Sequence, residues 1–424
     1  MERKLACLAC GKTAPLNIPQ FTCPCGGLFE LQQPLAELKK LDLKTLFESR
    51  KNSPEPADLS GVWRFRELLF DTPKIITRSE GNTRLYFAEQ LSRALNLQIY
   101  CKHEGENPTG SFKDRGMTTA LTASQMFGCQ KFLCASTGNT SASLASYTAS
   151  AGLTGNVLIP EGKIAFGKLS QTLAYGARVL QIDGNFDTAM SLVSQISQNF
   201  ASNKIYLLNS VNPFRIEGQK TIFFELLEQL NYKPPDFIFV PAGNLGNTSA
   251  LGKAILEAFE LGLITRKPRL IAVQAAGANP FYQYFRKGWQ DYQPVLNPET
   301  LATAIKIGNP ISYPRAAKVL TALNGLVLEA SENEILDAKA TLDAAGIGCE
   351  PASACTLAGI RQLQKTNELK PGQTVVAILT GHLLKDPETT INYHLQKIPQ
   401  LTIHKANQPR KISANLNSVL QNLN

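Results

Sequence analysis

Lys113 stands in the run ENPTGSFKDRGM, where Asn107, Pro108 and Gly110 signal a turn and a helical pattern follows. A helix N-terminus carries partial positive charge, so an ammonium placed there is disfavoured and its pKa falls if the site is also partly buried. A lysine that gives up its proton readily can form an imine or take a proton from carbon. Read alone, Lys113 has an ordinary alternative, a solvated lysine offset by Asp114 at a helix start capped by Ser111. Two glycine-bearing runs shift the balance. GNLGNTSALG follows the apolar FIFVPAG and opens a helix, so Gly243 and Gly246 can bring backbone amides up to an anion. The run lacks both the spacing of a dinucleotide fingerprint and the lysine of a P-loop, which favours a small phosphorylated cofactor over a nucleotide. STGNTSAS follows KFLCAS in the same way, and Ser136, Thr137, Asn139 and Thr140 offer donors that suit a carboxylate. Plain helix capping by Asn139 or Thr140 is the alternative there.

A second chemistry lies near the N-terminus. Cys7 and Cys10 form a C-x2-C pair followed by Gly11, and Cys23 and Cys25 form a C-x-C pair followed by Gly26 and Gly27. Four thiolates can close a tetrahedral zinc site and order a module too small to fold on its own core. The second pair is one residue short of the usual knuckle, so free thiols in a degenerate segment are the competing reading. Of the nine cysteines, the remaining five (Cys101, Cys129, Cys134, Cys349, Cys355) lie in apolar segments, as buried thiols in a reducing compartment would.

The elements that must position these residues are legible from about Leu97 onward. LQIYCKHE, KFLCAS, NVLIPE, RVLQID, IYLLNS, FIFVPAG, RLIAVQAAG and VVAILTG read as strands. FKDRGMTTALTASQMFG, TSASLASYTASAG, FGKLSQTLAYGA, FDTAMSLVSQISQNF, GQKTIFFELLEQL and TSALGKAILEAFELG read as helices between them. Such alternation predicts an α/β fold of parallel strands joined by helical crossovers, with ligands at the carboxyl ends of the strands. The segment over 1–40 reads as a separate small module, and 396–424 as a polar tail. With 424 residues and 43% hydrophobic content, two or three domains are expected. No apolar run is long enough for a membrane helix and no secretory or organelle leader is legible, so a soluble cytoplasmic protein is expected. The net charge of +9 is scattered rather than clustered, which argues against a nucleic-acid partner.

Five runs in order, ENPTGSFKDRGM, ASTGNTSAS, NPFRIEGQKT, GNLGN and TGHLLKDP, resemble the fold-type-II pyridoxal-phosphate enzymes and, among them, the threonine synthases, with wording nearest the plant-type branch. The resemblance spans roughly Gly81 to Pro387 and implies a tryptophan synthase β-like fold, two open, twisted, mostly parallel sheets flanked by helices. It further implies a large cofactor domain over 41–125 and 216–395, a small mobile domain over 126–215, and a homodimer. By position, Lys113 would carry pyridoxal 5'-phosphate as a Schiff base and act as the catalytic base. Asn139 would bond the ring's phenolic oxygen, Gly243, Asn244, Leu245, Gly246 and Asn247 would wrap the phosphate, and Thr380 would face the pyridine nitrogen. Ser136, Thr137, Gly138 and Thr140 would grip the substrate carboxylate, and Asn209, Ser210 and Arg215 the substrate phosphate. The implied reaction is conversion of O-phospho-L-homoserine and water to L-threonine and phosphate. A cysteate-synthase-like enzyme using O-phosphoserine and sulfite, and a threonine or serine dehydratase, stand as alternatives within the fold. Outside catalysis, a zinc-ribbon protein binding nucleic acid or a protein partner is the rival. The family's usual TGHGLKDP reads TGHLLKDP here, so Leu383 is expected to reshape the loop beside Thr380.

Overall fold

The computed structural model describes residues 2–17, 19–161, 166–184, 186–198, 204–399 and 401–423. In chain order its strands are β1 (Lys4–Cys7), β2 (Thr13–Pro15), β3 (Phe29–Gln32), β4 (Leu85–Phe87), β5 (Gln98–His103), β6 (Lys131–Ala135) and β7 (Gly155–Pro160). They continue with β8 (Arg178–Ile182), β9 (Ile205–Leu207), β10 (Phe237–Pro241), β11 (Arg269–Ala275), β12 (Leu326–Ala330) and β13 (Thr374–Leu379). Among the described residues these form three sheets, ordered β2-β1-β3, β12-β11-β10-β13-β5-β4 and β8-β7-β6-β9. The first is antiparallel. The four-stranded sheet is parallel throughout, and the six-stranded one is parallel except for β4, which runs antiparallel to β5 at its edge. A parallel strand covered by helices on both faces has no side to give to water, which is why β10 is FIFVP and buried at every position.

Every strand expected from the sequence forms. β1, β2 and β3 lie in the segment expected only as a small module, and β4 and β12 are also unexpected, because β4 is three residues long and β12 (LVLEA) is an edge strand carrying Glu329. Beyond 396 the chain first docks, with Ile398, Leu401 and Ile403 packed on Leu336, Ala340 and Tyr393, before ending in the exposed helix Leu416–Asn422.

Two buried helices fix the geometry of the site. Lys113–Ser124 is buried at every position after Lys113, and Pro213–Gln229 is buried from Pro213 to Glu228. They cross backbone to backbone because glycines meet there. A Cβ at Gly218 would lie 1.8 Å from the Arg115 carbonyl oxygen, and one at Gly116 would lie 2.9 Å from that of Arg215. Only glycine permits such an approach. Beneath the crossing, Arg115 donates to Glu104 at 2.7 and 2.8 Å and to Glu225 at 2.9 Å, and Lys102 closes on Glu225 from β5. Burial alone would raise the Glu225 pKa, but the Arg115 guanidinium and Lys102 ammonium outweigh it and hold the carboxyl well below the usual range. The ion cluster thus ties the start of the Lys113 helix to the six-stranded sheet and to the Arg215 helix.

Candidate active site

Lys113 opens its helix, and the segment before it is stitched to the end of β13. The Phe112 amide donates to the Thr380 carbonyl at 3.0 Å, and Ser111 pairs with Gly381 in an isolated antiparallel bridge. Two motifs distant in sequence therefore meet at one point. Ser111 is not the helix cap expected of it. The helix starts one residue later, Phe112 holds the cap position without a side-chain bond, and the buried Ser111 hydroxyl has no partner among the described residues.

The Lys113 amine lies 3.9 Å from the centroid of the Phe112 ring. Its pKa is pushed down to about 7, first by burial and then by the Arg215 guanidinium, with Glu350 opposing. Asp114 does not offset this lysine. Its carboxylate is turned away, accepting from the Thr109 amide and hydroxyl, each at 2.7 Å, and from the Ser143 hydroxyl at 2.6 Å.

The glycine-rich turn follows β10, as expected. Leu245 sits in the left-handed region at φ 63°, and Gly246 begins the helix Gly246–Glu260. That helix offers free backbone amides at its first turn. Gly243 is closely packed, since a Cβ would stand 3.1 Å from the Ala304 carbonyl oxygen and the Ile305 Cα and would press both back by a few tenths of an ångström. Asn244 accepts from the Ile311 amide at 3.1 Å. Both amide atoms of Asn247 and the Thr248 hydroxyl are buried without a partner among the described residues.

The third turn, Ser136–Thr140, is half-buried at the end of β6. Gly138 precedes the helix Asn139–Ser150, and Asn139 donates to Glu350 at 3.0 Å. Glu350 also accepts from the Thr380 hydroxyl at 3.3 Å, and Thr380 meets the Ser353 hydroxyl at 3.0 Å. Asn209 clamps the base of this turn, accepting from the Ala135 amide and donating to its carbonyl, each at 3.0 Å. Arg215 donates to the Leu208 carbonyl at 2.9 Å, while its Nε is buried without a partner among the described residues. Burial brings its pKa down to about 10, and no carboxylate pairs with it among the described residues.

All the residues expected on sequence grounds, the cysteines apart, line two adjoining hollows. A cleft of about 1550 Å³ takes in Lys113, Ser136, Thr137, Gly138, Asn139, Thr140, Asn209, Ser210 and Asn244. A narrow slot below it takes in Lys113, Asn139, Ser210, Arg215, Gly243, Asn244, Leu245, Gly246, Asn247 and Thr380. Glu350 lines both hollows, and Lys385 and Gln171 line the cleft.

The sequence profile described as "Pyridoxal-phosphate dependent enzyme" matches residues 76–381. This chain belongs to the pyridoxal-phosphate dependent enzymes. Among curated proteins it is 44% identical over 389 residues to the threonine synthase of Methanocaldococcus jannaschii, covering 91% of this chain and 93% of that one. To the threonine synthase of Methanosarcina acetivorans it is 42% identical over 391 residues, covering 92% and 93%. The solved threonine synthase of Escherichia coli superposes with a TM-score of 0.68 over 99% of both chains at 20% identity, a likeness of fold.

The site fits the cofactor that the family name carries. A pyridoxal-phosphate dependent enzyme needs an amine that is neutral near pH 7, a cradle of amide donors for a phosphate, and polar groups for the ring edge. Here these are Lys113, the turn Gly243–Asn247 with its unpartnered Asn247 and Thr248 side chains, and the line Asn139–Glu350–Thr380.

Sequence reasoning missed Glu350 and Lys385. Glu350 is an acid directly before the helix Pro351–Lys365, and the Gly346 and Gly348 ahead of it follow a helix rather than a buried strand, so the strand–glycine turn–helix pattern that marks the other turns is missing. Burial raises its pKa against the pull of Asn139 and Lys113. Lys385 belongs to the TGHLLKDP run, whose departure from the family wording falls at Leu383. Leu383 packs on Gly348, whose Cβ position lies 3.1 Å from its side chain, and so holds the loop down beside β13.

Proposed function

We propose that this enzyme converts O-phospho-L-homoserine and water to L-threonine and phosphate. The observation that carries the reading is Arg215, a buried guanidinium in the slot beside Lys113 with no carboxylate partner among the described residues. An uncompensated buried charge costs several kcal/mol. A substrate phosphate would offset that cost, because the guanidinium fork donates two charge-assisted hydrogen bonds to it. The name shared by the relatives that match over nine-tenths of the chain supports the same substrate class.

Lys113 would hold pyridoxal phosphate through its amine, the turn Gly243–Asn247 its phosphate, Asn139 its phenolic oxygen and Thr380 its ring nitrogen. When bound, the cofactor supplies a sink for negative charge on the substrate carbon next to the amine. Lys113 Nζ would take the proton from the α-carbon and one from the β-carbon, give one to the γ-carbon as phosphate leaves it and one back to the α-carbon. Water adds its hydroxyl to the β-carbon, and its proton goes to the departed phosphate. A pKa lowered to about 7 makes both forms of the Lys113 amine available near neutral pH. Ser136, Thr137, Gly138 and Thr140 bind the substrate carboxylate at the tip of a parallel strand. Ser210 and Arg215 bind its phosphate, and Asn209 acts by holding the Ser136 turn in register. The division into a large domain (41–125 and 216–395) and a small mobile one (126–215) belongs to this reading. So does a cytoplasmic homodimer without a nucleic-acid partner, which sedimentation of the purified protein tests.

The deciding assay measures phosphate release from O-phosphohomoserine and, separately, from O-phosphoserine with sulfite. Release with threonine formed from the first substrate is expected. Cysteate from the second, with no threonine from the first, would replace the assignment by the sulfite reaction. Arg215→Ala should raise KM for the phosphorylated substrate by about tenfold or more, the loss of roughly 1.5–3 kcal/mol from a charged hydrogen bond, with the cofactor still bound.

A further inference from the structure

The four N-terminal cysteines take no part in the site just described, yet they form the only cluster of three or more metal-type ligands among the described residues. Their sulfurs all lie within 4.8 Å of one another. Cys7 and Cys25 are 3.5 Å apart, Cys10 and Cys23 3.7 Å, and Cys10 and Cys25 3.4 Å. These separations are far beyond a disulfide bond and near the roughly 3.8 Å edge of a tetrahedron built on a metal–sulfur distance of about 2.3 Å.

The backbone is shaped around the sulfurs. Gly11 and Gly26 follow the two pairs with φ of 73° and 85°. Their amides turn back to the Cys7 carbonyl at 2.9 Å and the Cys23 carbonyl at 2.8 Å. A left-handed glycine after each pair thus turns the chain back so that all four sulfurs come within 4.8 Å of one another. A Cβ on Gly27 would stand 2.6 Å from the Cys7 sulfur and 3.4 Å from that of Cys25, so that position admits glycine alone.

The cluster also adjoins the cleft. Leu8, Phe21, Gly26 and Leu28 line its wall. Phe21 packs edge-on against Tyr206 of β9 at 5.3 Å, and β9 leads directly into Asn209 and Ser210. Arg315 joins the two sides, donating to the Phe29 carbonyl and, at 3.5 Å, to that of Ser210.

We propose that Cys7, Cys10, Cys23 and Cys25 bind one structural Zn2+ ion as a tetrathiolate, and that this ion orders the cleft wall supporting the substrate-phosphate side of the site. The second half rests on the functional reading above. Zinc is assigned because a closed four-sulfur site needs no open position and the cleft chemistry needs no electron transfer.

The test begins with elemental analysis of the full-length, cofactor-loaded protein prepared under reducing conditions, which requires neither a variant nor turnover. One zinc per chain is expected. Replacement by Co2+ should give the thiolate charge-transfer and visible bands of a tetrahedral site. A reduced protein that carries no metal and takes up neither Zn2+ nor Co2+ would overturn the site, and stoichiometric iron would overturn its assignment to zinc. The Cys10→Ser, Cys25→Ser double variant, altered at the two exposed sulfurs, should lose the metal and keep the cofactor colour. Its KM for the phosphorylated substrate should rise about tenfold, equivalent to about 1.4 kcal/mol. A metal-free variant with unchanged KM would overturn the link to the cleft while leaving the zinc site standing. If the loaded enzyme turned over no phosphorylated substrate at all, the functional reading would fail and the metal analysis would still decide the site.

Discussion

At the scale of residues, the site depends on a contest over one amine. Burial and the Arg215 guanidinium push the Lys113 ammonium towards giving up its proton, and Glu350 pulls the other way, leaving the pKa at about 7. The neutral amine is the form that captures an aldehyde, so the rate at which cofactor-free protein takes up pyridoxal phosphate should rise with pH and level off above about 7. An unperturbed lysine would keep gaining rate up to about 10.4. Arg215→Ala should move the midpoint up by on the order of one unit, because a nearby positive charge has gone. Glu350→Gln should move it down, because the opposing carboxylate has gone. Stopped-flow absorbance against pH reads both, and equal midpoints in the two variants would show that burial alone sets the amine.

At the scale of elements, the placement of Lys113 and Arg215 comes from two glycines at a helix crossing rather than from either motif. Gly218→Ala would drive a methyl group into the Arg115 carbonyl, which is backbone and can yield only if the helices part. A cost of about 2–3 kcal/mol is expected as a lowered urea midpoint, together with weaker cofactor retention as the two charged side chains separate. The sequence showed the strands and turns of the site well, because a strand such as FIFVP followed by a glycine-rich turn and a helix is a local pattern. It did not show the crossing, since GQKT and KDRG carry no mark that Gly218 will lie on Arg115. The sequence pattern predicts the helix bearing Arg215 only from Gly218 onward, whereas Asn212 caps it and Pro213 begins it. Glu350 was illegible for a related reason. Its chemistry appears only when β13, the helix Pro351–Lys365 and the Asn139 turn are brought together.

At the scale of the molecule, the cleft lies between the six-stranded and four-stranded sheets, and polar contacts across it decide how firmly they hold a substrate. Some are deep. Ser143 donates to Asp114 at 2.6 Å and Tyr147 to Glu80 at 2.7 Å, both from the helix Asn139–Ser150 and both fully buried. These anchor the four-stranded sheet whatever the cleft contains. At the rim a different pair spans the gap, Lys385 of the TGHLLKDP loop donating to Gln171 of the helix Phe166–Ala174. Burial lowers the Lys385 pKa, with Glu350 and Asp114 opposing. Gln171 belongs to none of the groups assigned to the cofactor, so its contribution should be confined to closing the cleft. Gln171→Ala should therefore raise KM for the phosphorylated substrate by about fivefold, the loss of roughly 1 kcal/mol from one rim hydrogen bond, and leave the cofactor absorbance unchanged. Steady-state kinetics beside an absorbance titration separate these effects. A weakened cofactor titration would mean that the rim contact shapes the slot below as well as the mouth above, whereas an unchanged KM would mean that the buried pairs alone hold the two sheets together.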